Sequence, residues 1–346
     1  MVEILRFEIV RKMILILTDR DDPTSIDVIE WLKILKKKFF AIYNDYQIEI
    51  RNIYLSNNQN SFELWVFDSK NILIAKILSN EIKSYWYRRH TFRDANKINN
   101  IDRYSLNSEN KVALNLIEDE KRIIVEYLDF YLKSNRIKYL NSYLDNLINK
   151  LECLSVASNC GLNIPATLLT NNRNDLFHFS NEHNNSIITK NLSVSIKVGL
   201  SADKRYCVGG PTRKITLEDL SNIKSRTFPI SNYQECIDKE YEVRVFYIRN
   251  KFFAAALFSQ EHEITKIDSR NSNNQVNLRI VPYILPNIIL KKLKKFTRMI
   301  NINCGSIDLI YFKNKFYFLE INPIGQIQWI SSATNYKLEY EIAKAL

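Results

Sequence analysis

The stretch Ser306-Ile-Asp308-Leu-Ile-Tyr-Phe-Lys-Asn-Lys-Phe-Tyr-Phe-Leu-Glu320-Ile-Asn322-Pro323 decides how the rest of the chain is interpreted. Two apolar runs rich in β-forming residues flank Lys313-Asn314-Lys315, so the pattern predicts a strand, a tight turn and a returning strand. Alternation along the second strand places Glu320 and Asn322 on one face, and Asp308 can face them from the first strand. Such carboxylate and amide oxygens are ligands that Mg²⁺ prefers when it also binds phosphate. An ordinary amphipathic hairpin with polar residues facing water explains the same pattern.

The bulk composition limits the class of protein. A chain of 346 residues is long enough for about two or three packed domains, and its 46% apolar content predicts folded cores. Apolar runs of about 18 residues are absent, and charged residues interrupt the N-terminus, so neither a membrane span nor a signal peptide is expected. The five cysteines form no CxxC pair, which indicates idle thiols in a reducing cytoplasm rather than disulfides or a zinc site.

The net charge of +11 permits binding to nucleic acid, to anionic small molecules or to an acidic peptide. Helix-turn-helix, RNP and zinc-finger signatures are absent, so nucleic acid is not the favoured partner. The six glycines form neither GxGxxG nor GxxxxGK[ST], which excludes a Rossmann or P-loop nucleotide site. An ATP site in this chain must therefore use another phosphate clamp.

The first half of the chain predicts an α/β start followed by helices. A buried strand at Met13–Thr18, a helix capped by Ser25 and running to about Lys38, and a strand at Phe39–Tyr43 form a β-α-β unit. A short aromatic strand ends at Arg88-Arg89, where a solvated strand end is the plain interpretation. Helical periodicity covers 109–151, and a second helix is expected from about Leu140 to Asn159, with Gly161 after its end.

From residue 187 the pattern changes to strands. Lys190 ends a strand that begins at Ile187, and Phe228–Ile237 leads into a loop. Glu242–Ile248 and Lys251–Ser259 predict a hairpin across Arg249-Asn250. A basic amphipathic helix over 286–301 precedes the hairpin that carries Glu320.

Four features in this order resemble the ATP-grasp superfamily. They are Asn149-Lys150, Lys190, the strand Tyr233–Ile237 followed by Glu242-Val-Arg244-Val, and Asp308…Glu320-Ile-Asn322-Pro323. Longer stretches look like the graspetide synthetases, the ATP-grasp ligases that modify ribosomally made peptides, and most like their grasp-with-spasm branch, relatives of the microviridin ligases. Those stretches are Gln234–Ile248, Phe258–Gln260, Val281–Pro286, Asn322–Ile327 and, near the N-terminus, Trp86–Arg89.

The resemblance implies the fold and its division. The fold class is α/β (α+β), an ATP-grasp fold with an N-terminal pre-ATP-grasp α/β domain. The N-terminal domain is expected at 1–115, a central helical or α+β subdomain at 116–186, and the nucleotide-binding and catalytic region at 187–346. Within that region, a small β-rich subdomain would cover about 187–237 and the C-terminal catalytic subdomain about 238–346.

The resemblance also implies roles for individual residues. Lys150 and Lys190 would neutralise phosphate oxygens of ATP. The hinge and its surroundings would complete the nucleotide site through Gln234, Glu235, Ile237, Lys239 and Glu242. Mg²⁺ would be held by Asp308, Glu320 and Asn322, and the candidates for the transferring phosphoryl group and the substrate carboxylate are Arg244, Arg270 and Arg279, since a guanidinium matches both groups with two hydrogen bonds. The sequence cannot rank these arginines, although the motif fixes the place of Arg244.

The implied activity is ATP-dependent macrocyclisation of a ribosomal precursor peptide with a leader and a core. Glu or Asp carboxylates of the core would be phosphorylated and closed onto Thr or Ser as esters, or onto Lys as amides, with ADP and phosphate released. A homodimer is left open, and no nucleic acid or membrane partner is expected. Two alternatives remain: a ligase that adds amino acids to a protein C-terminus, and a peptide-binding ATP-grasp module without catalysis.

Overall fold

The computed structural model describes residues 12–89, 92, 108–134, 137–192, 196–201, 204–208, 212–261, 265–267 and 278–346. The chain divides into two compact units. Unit 1 comprises Met1–Ile148, Ile302–Gly305 and Asn322–Leu346, and unit 2 comprises Asn149–Asn301 and Ser306–Ile321. None of the described helices is long and apolar enough to cross a membrane.

Eighteen strands and eight helices lie in the described part of the chain. The strands are β1 (Met13–Thr18), β2 (Phe39–Tyr43), β3 (Gln47–Leu55), β4 (Asn60–Phe67), β5 (Leu73–Leu78), β6 (Ile82–Tyr87), β7 (Lys138–Leu140), β8 (Thr167–Asn172), β9 (Ile187–Thr189), β10 (Ile196–Ser201), β11 (Lys204–Val208), β12 (Arg213–Ile215), β13 (Thr227–Glu235), β14 (Tyr241–Ile248), β15 (Lys251–Phe258), β16 (Arg279–Tyr283), β17 (Cys304–Phe312) and β18 (Lys315–Asn322). The helices are α1 (Pro23–Ile34), α2 (Ser108–Ser134), α3 (Lys150–Asn159), α4 (Arg173–Glu182), α5 (Leu217–Asn222), α6 (Asn287–Met299), α7 (Gln328–Thr334) and α8 (Leu338–Ala345).

Unit 1 is built on a parallel sheet in the order β2-β1-β6-β7 and an antiparallel sheet β3-β4-β5. All six residues of β1 are buried, as expected for a strand inside a parallel sheet. The predicted β-α-β start is confirmed, but Ser25 is not its cap. Asp22 precedes Pro23, the first residue of α1, and its carboxylate accepts a hydrogen bond of 2.9 Å from the Ser25 backbone N–H. The helix ends at Ile34, before the predicted Lys38.

The helical prediction over 109–151 is correct only in its first part. Helix α2 covers Ser108–Ser134, and Lys138–Leu140 then joins the parallel sheet beside β6. The second predicted helix begins at Lys150 instead of Leu140, because the Asn149 side chain accepts hydrogen bonds from the first N–H groups of α3. Its end was predicted correctly, and Gly161 follows it with a φ of +79°.

Unit 2 contains the sheets β12-β9-β13-β8 and β16-β15-β14-β17-β18, and β10 pairs with β11. Two tight hairpins determine the second of these sheets. Arg249 and Asn250 have φ values of 42° and 70°, and Lys313 and Asn314 have 45° and 61°. Two consecutive residues with positive φ are typical of the type I′ turn, whose twist matches that of the strands. Both predicted hairpins are therefore confirmed.

Around these sheets the predictions for helices differ in outcome. The basic helix predicted over 286–301 is present as α6, whose buried face includes Leu293 and Phe296. Helix α4 was missed, because its polar sequence after Thr170 predicted a loop. Asn172 caps α4 by accepting from the Asn174 N–H at 2.8 Å, and Leu176 and Phe179 bury its apolar face.

Candidate functional site

The centre of the candidate site is an ion pair between Arg244 and Asp308. Strand β14, which carries Arg244, lies next to β17, which carries Asp308. Val243 and Val245 are fully buried on one face of β14, so alternation puts Arg244 on the opposite face. The Arg244 guanidinium donates a short hydrogen bond to Asp308 Oδ1, and the two side chains are 14% and 23% exposed.

A second ion pair joins Lys150 to Glu320. Lys150 Nζ lies 3.3 Å from Glu320 Oε2, and the Glu320 side chain is 16% exposed. Strand β18 is held beside the segment that follows α3, because Phe318 N–H donates to Asn163 O at 2.8 Å and the Asn163 amide donates to Phe316 O at 3.0 Å. These bonds link the helix that begins at Lys150 to the strand that carries Glu320.

The burial pattern of β18 is interrupted at the site. Phe316 and Phe318 are buried at a spacing of two, but the next buried residue is Ile321, so Leu319 and Glu320 are both half-buried. Asn322, the exposed last residue of the strand, follows Ile321. The sequence pattern therefore predicts the alternation of Glu320, Ile321 and Asn322 correctly, but it does not reveal the interruption before them.

The electrostatics of Asp308 reflect a concentration of carboxylates. Burial raises the pKa of Asp308 most, and the charges of Glu320 and Glu242 raise this pKa further, whereas Arg244 opposes them. Two further acidic side chains are therefore within electrostatic reach of Asp308. Each of them also has a cationic neighbour, which is Lys150 for Glu320 and Lys239 for Glu242.

This donor set fits a hard divalent cation. Asp308 and Glu320 repel each other, and a cation bound to both would relieve that repulsion. Within the described residues, no group of three or more His, Cys, Asp or Glu side chains is placed to hold a metal ion. Two carboxylates with the Asn322 amide oxygen and phosphate oxygens would be the kind of set that Mg²⁺ uses, since Mg²⁺ is usually held by only one or two carboxylates plus substrate phosphates.

A buried lysine lies beside this cluster. The side chain of Lys239 is 3% exposed, and its Nζ donates a short hydrogen bond to Glu242 Oε1 and a bond of 3.2 Å to Ile267 O. Glu242 Oε1 also accepts from Ser259 Oγ at 3.2 Å. A buried ammonium ion requires such a counter-ion, so Lys239 and Glu242 hold each other. Ser259 lies in the stretch Phe258–Gln260 that carries the family resemblance, but it was not named among the candidate site residues.

The predicted hinge lies at the end of β13. The Gln234 side chain is buried and donates to Thr167 Oγ1 at 2.9 Å. The backbone N–H of Glu235 donates to Ala166 O at 2.9 Å, and the Glu235 carboxylate accepts from Ala166 N–H at 3.3 Å. These contacts brace the strand end. Ile237 is half-buried beyond it, and its carbonyl accepts from the Lys239 N–H at 2.9 Å.

The remaining predicted residues are placed as follows. Lys190 follows the last residue of β9 and is half-buried, and its carbonyl accepts from the Asn232 amide at 3.2 Å. Arg279 begins β16, is exposed, and has its guanidinium carbon 5.1 Å from the centre of the Phe258 ring. Arg270 lies outside the described residues. The structure thus brings Lys150, Arg244, Asp308 and Glu320 together with the buried pair of Lys239 and Glu242.

Solved structures similar to this chain include a macrocyclase and ATP-grasp ligases. The macrocyclase MdnC from Microcystis aeruginosa MRC, bound with precursor peptide MdnA, is 26% identical with a TM-score of 0.71, and the match covers 96% of this chain and 99% of that one. A RiPP-associated ATP-grasp ligase from Chryseobacterium gregarium, in complex with ADP and a leader and core peptide, is 22% identical with a TM-score of 0.74 over 96% and 95% of the two chains. The ATP-grasp ligase PsnB, complexed with minimal precursor, Mg and ADP, is 15% identical with a TM-score of 0.66 over 96% of both chains.

No protein-family model matches the chain, and no curated protein is similar to it. The structural likeness nevertheless extends over almost the whole length of both this chain and its neighbours. The chain has the ATP-grasp fold, and the predicted fold class is confirmed. The likeness to graspetide synthetases that the sequence motifs indicated is confirmed as well.

Proposed function

We propose that this chain is an ATP-dependent ligase that macrocyclises a ribosomally made precursor peptide. The observation that carries the proposal is the charge cluster of Lys150, Arg244, Asp308 and Glu320, in a chain whose structural neighbours are macrocyclases and ligases bound to precursor peptides, ADP and Mg. A carboxylate is a poor acyl donor because its leaving group would be oxide. Transfer of the γ-phosphoryl group of ATP to a Glu or Asp side chain gives an acyl phosphate, and a Thr or Ser hydroxyl, or a Lys amine, then displaces phosphate.

Arg244 is proposed to act on the reacting groups. Its ion pair with Asp308 orients the guanidinium within the cluster, and a planar fork can contact the transferring phosphoryl group and the substrate carboxylate together. Negative charge grows on these groups as the acyl phosphate forms and breaks down. A cation fixed in advance therefore stabilises the transition state more than the ground state. Arg270 and Arg279 remain candidates for the same task.

Asp308, Glu320 and Asn322 are proposed to hold Mg²⁺. The metal, when bound, supplies charge neutralisation to the phosphate oxygens of ATP. Lys150 and Lys190 are proposed as phosphate clamps. Lys150 is well suited to this role because its side chain is 37% exposed, so that its ammonium group, 3.3 Å from Glu320, can also reach a ligand.

The proposed hinge for adenine runs from Gln234 to Ile237. The side chain of Gln234 is engaged with Thr167, so this residue would contribute through its backbone. Lys239 and Glu242 bind each other, so in this proposal the pair would complete the nucleotide site by fixing the chain just after the hinge. The sequence-based division into domains at 1–115, 116–186 and 187–346 remains part of this proposal, as does a cytoplasmic location.

The substrate is proposed to be a leader-plus-core peptide with acidic residues in its core. The positive charge of the chain suits such a peptide. Addition of free amino acids to a protein C-terminus is the alternative reaction, since it would use the same acyl phosphate.

Mass spectrometry of the precursor peptide distinguishes these reactions. The peptide to use is the product of a short open reading frame near the gene that is rich in Thr, Glu, Asp and Lys. It is incubated with enzyme, ATP and Mg²⁺. Each ring bond should remove about 18 Da from the peptide and release one ADP and one phosphate, as an acyl-phosphate route requires. A mass increase by amino acid residues would support the alternative ligase, and AMP with pyrophosphate would contradict the mechanism.

A second measurement tests the role of the leader. The core peptide without its leader should be cyclised more slowly than the full precursor, since binding of the leader is expected to shift the enzyme toward its active conformation. Equal rates would show that the leader has no activating role.

A further inference from the structure

The segment that follows Asn322 is fixed by side chains of unit 1. Three successive backbone carbonyls each accept a side-chain hydrogen bond. The Asn141 amide donates to Pro323 O at 2.8 Å, and Arg88 donates to Ile324 O at 2.6 Å and to Gly325 O at 3.2 Å. All of these residues belong to unit 1.

Arg88 is itself held rigidly. Its side chain is 4% exposed, and it donates to the fully buried carboxylate of Asp22 at 3.0 and 3.2 Å. It also donates to Thr24 Oγ1 at 2.9 Å and to the Gln326 side-chain oxygen at 3.1 Å. A guanidinium has five N–H donors in a fixed fork. In Arg88, Nη1 binds the carbonyls of Ile324 and Gly325, and Nη2 binds both the beginning of α1 and Gln326.

The backbone of Asn322 is also closely packed. A Cβ atom placed on Gly305 would lie 3.1 Å from Asn322 O and 3.1 Å from Pro323 Cα, which is too close for most side chains. Glycine at this position lets the two backbone segments approach each other. The residue is therefore held through its backbone, while its exposed side chain stays available to a ligand.

We infer that Arg88 is a positioning residue for the metal, which acts by fixing the backbone on which the Asn322 amide oxygen is carried. The inference rests on the proposed function, in which Asn322 is a metal ligand. A metal ligand is effective only when it is oriented, and loss of the residues that orient a ligand typically costs about 10–100-fold in metal affinity. Arg88 is not proposed to contact the substrate or the metal.

The variant that tests this is Arg88→Lys, with Arg89→Lys as its matched control. Lysine keeps the positive charge beside Asp22 but loses the fork that reaches Ile324 and Gly325. Arg89 also pairs with Asp22, at 2.8 Å, and within the described part of the chain its hydrogen bond goes to Asp22 and not to these carbonyls. The two variants therefore perturb the same carboxylate, and only one of them releases the segment.

The readout is ADP binding by calorimetry at a series of Mg²⁺ concentrations. Mg²⁺ is expected to increase the affinity for ADP, and the Mg²⁺ concentration that produces half of this increase should rise about 10-fold or more in Arg88→Lys. The affinity of this variant for ADP in EDTA, without Mg²⁺, should be unchanged. For Arg89→Lys both values should stay within about 2-fold of the wild type, since the segment keeps its hydrogen bonds. A merely structural role of Arg88 would lower ADP affinity with and without Mg²⁺, and would overturn the inference.

A second variant covers the case in which Arg88→Lys does not fold. Asn141→Gly removes the amide that binds Pro323 O, and glycine accepts the φ of +53° found at this position. It should shift the Mg²⁺ dependence in the same direction as Arg88→Lys. If ADP affinity depends on Mg²⁺ in the wild type and neither variant changes that dependence, the inference is overturned and the proposed function stays intact. Wild-type protein whose ADP affinity does not respond to Mg²⁺ would overturn both.

Discussion

Two arginine–aspartate ion pairs, one from each unit, differ in burial and in the charges that surround them. In unit 1, Arg88 pairs with Asp22, and the two side chains are 4% and 0% exposed. In unit 2, Arg244 pairs with Asp308, and these side chains are 14% and 23% exposed. The first pair is enclosed by protein, while the second is open on a sheet face that also carries other charges.

The aspartates of the two pairs are shifted in opposite directions. Burial by itself would raise the pKa of Asp22, but the hydrogen bonds and charges of Arg88 and Arg89 outweigh it and lower this pKa. The pKa of Asp308 is raised, because burial and the neighbouring carboxylates outweigh Arg244. The positive charges beside Asp22 therefore outweigh the cost of burying its carboxylate, whereas Arg244 does not outweigh that cost at Asp308. The carboxylate of the first pair is thus compensated by its arginines, whereas the second pair lies beside further carboxylates whose repulsion the proposed Mg²⁺ would relieve.

The largest expected effect is loss of turnover when a carboxylate of the unit 2 cluster is neutralised. Glu320→Gln should reduce macrocyclisation by about 10⁴-fold, or about 5.4 kcal/mol in the activation barrier, because a proposed metal ligand is lost. Its midpoint of thermal unfolding should stay close to that of the wild type. Product formation measured by mass spectrometry checks the rate, with Glu49→Gln, an exposed glutamate of unit 1, as the matched control. Near-normal turnover of Glu320→Gln would refute the assignment of the site.

In unit 1 the corresponding change should affect stability instead. Asp22→Asn leaves the buried Arg88 charge without its counter-ion, which typically costs about 3–5 kcal/mol in the free energy of unfolding. Chemical denaturation followed by circular dichroism measures the loss. Replacing both partners, as in Asp22→Asn with Arg88→Met, should recover part of it, because no unpaired charge remains. A single variant as stable as the wild type would show that the pair is not structural.

The same pair predicts a dependence of stability on pH. The folded pKa of Asp22 lies below its ordinary value, so its contribution is complete above about pH 4 and is lost as the pH falls through the folded pKa. Asp22→Asn should therefore flatten the fall in unfolding free energy over the acid range. Denaturation curves collected between neutral and acid pH test this, and equal slopes for wild type and variant would count against the pair.

Arg244→Lys should separate catalysis from binding in unit 2. Lysine keeps the charge but loses the planar fork, so the rate should fall by about 10²–10³-fold, a range typical for loss of one transition-state donor. ADP affinity should change by less than about 3-fold, because nucleotide binding does not depend on the fork. Single-turnover kinetics and calorimetry on the same preparation provide both numbers. Intact turnover with poor ATP affinity would instead assign Arg244 to nucleotide binding.

Glu242→Gln sharpens the same comparison. Glu242 shares the strand face of Arg244, but its described hydrogen bonds come from Lys239 and Ser259. The substitution should lower the rate less than Arg244→Lys does, because it acts on the surroundings of the reacting groups. A larger loss of rate for Glu242→Gln would place Glu242, rather than Arg244, at the reacting centre.

The smallest expected effects concern the proposed phosphate clamps. Lys150→Ala and Lys190→Ala should each weaken ATP binding by about 1–3 kcal/mol, the usual value of a charge-assisted contact. Calorimetry with ATP measures this, and Lys33→Ala, which removes an exposed lysine of α1, is the control. Unchanged affinity in both clamp variants would mean that the nucleotide binds elsewhere.

The sequence predicted those features that depend on neighbours along the chain. Each of the hairpins at Arg249-Asn250 and Lys313-Asn314 follows from two turn residues between alternating strands, and both are present. The residues of the candidate site were also named from the sequence, through the motifs that resemble the ATP-grasp family, and their roles stay predictions. Helix boundaries were predicted less accurately, since Lys138–Leu140 lies within the range predicted to be helical but forms a strand beside β6.

The sequence by itself therefore determined the local turns, the residue types of the site and the family likeness. Only the tertiary structure decided which charges meet. Arg88 was expected at a solvated strand end, yet it is buried and binds Ile324, which is 236 residues away in the chain. Arg244 and Asp308 are 64 residues apart, and Lys150 meets Glu320 from another element. Periodicity and turn preferences report local backbone energies, whereas the burial of an arginine and its choice of carboxylate depend on distant segments that the completed fold brings together.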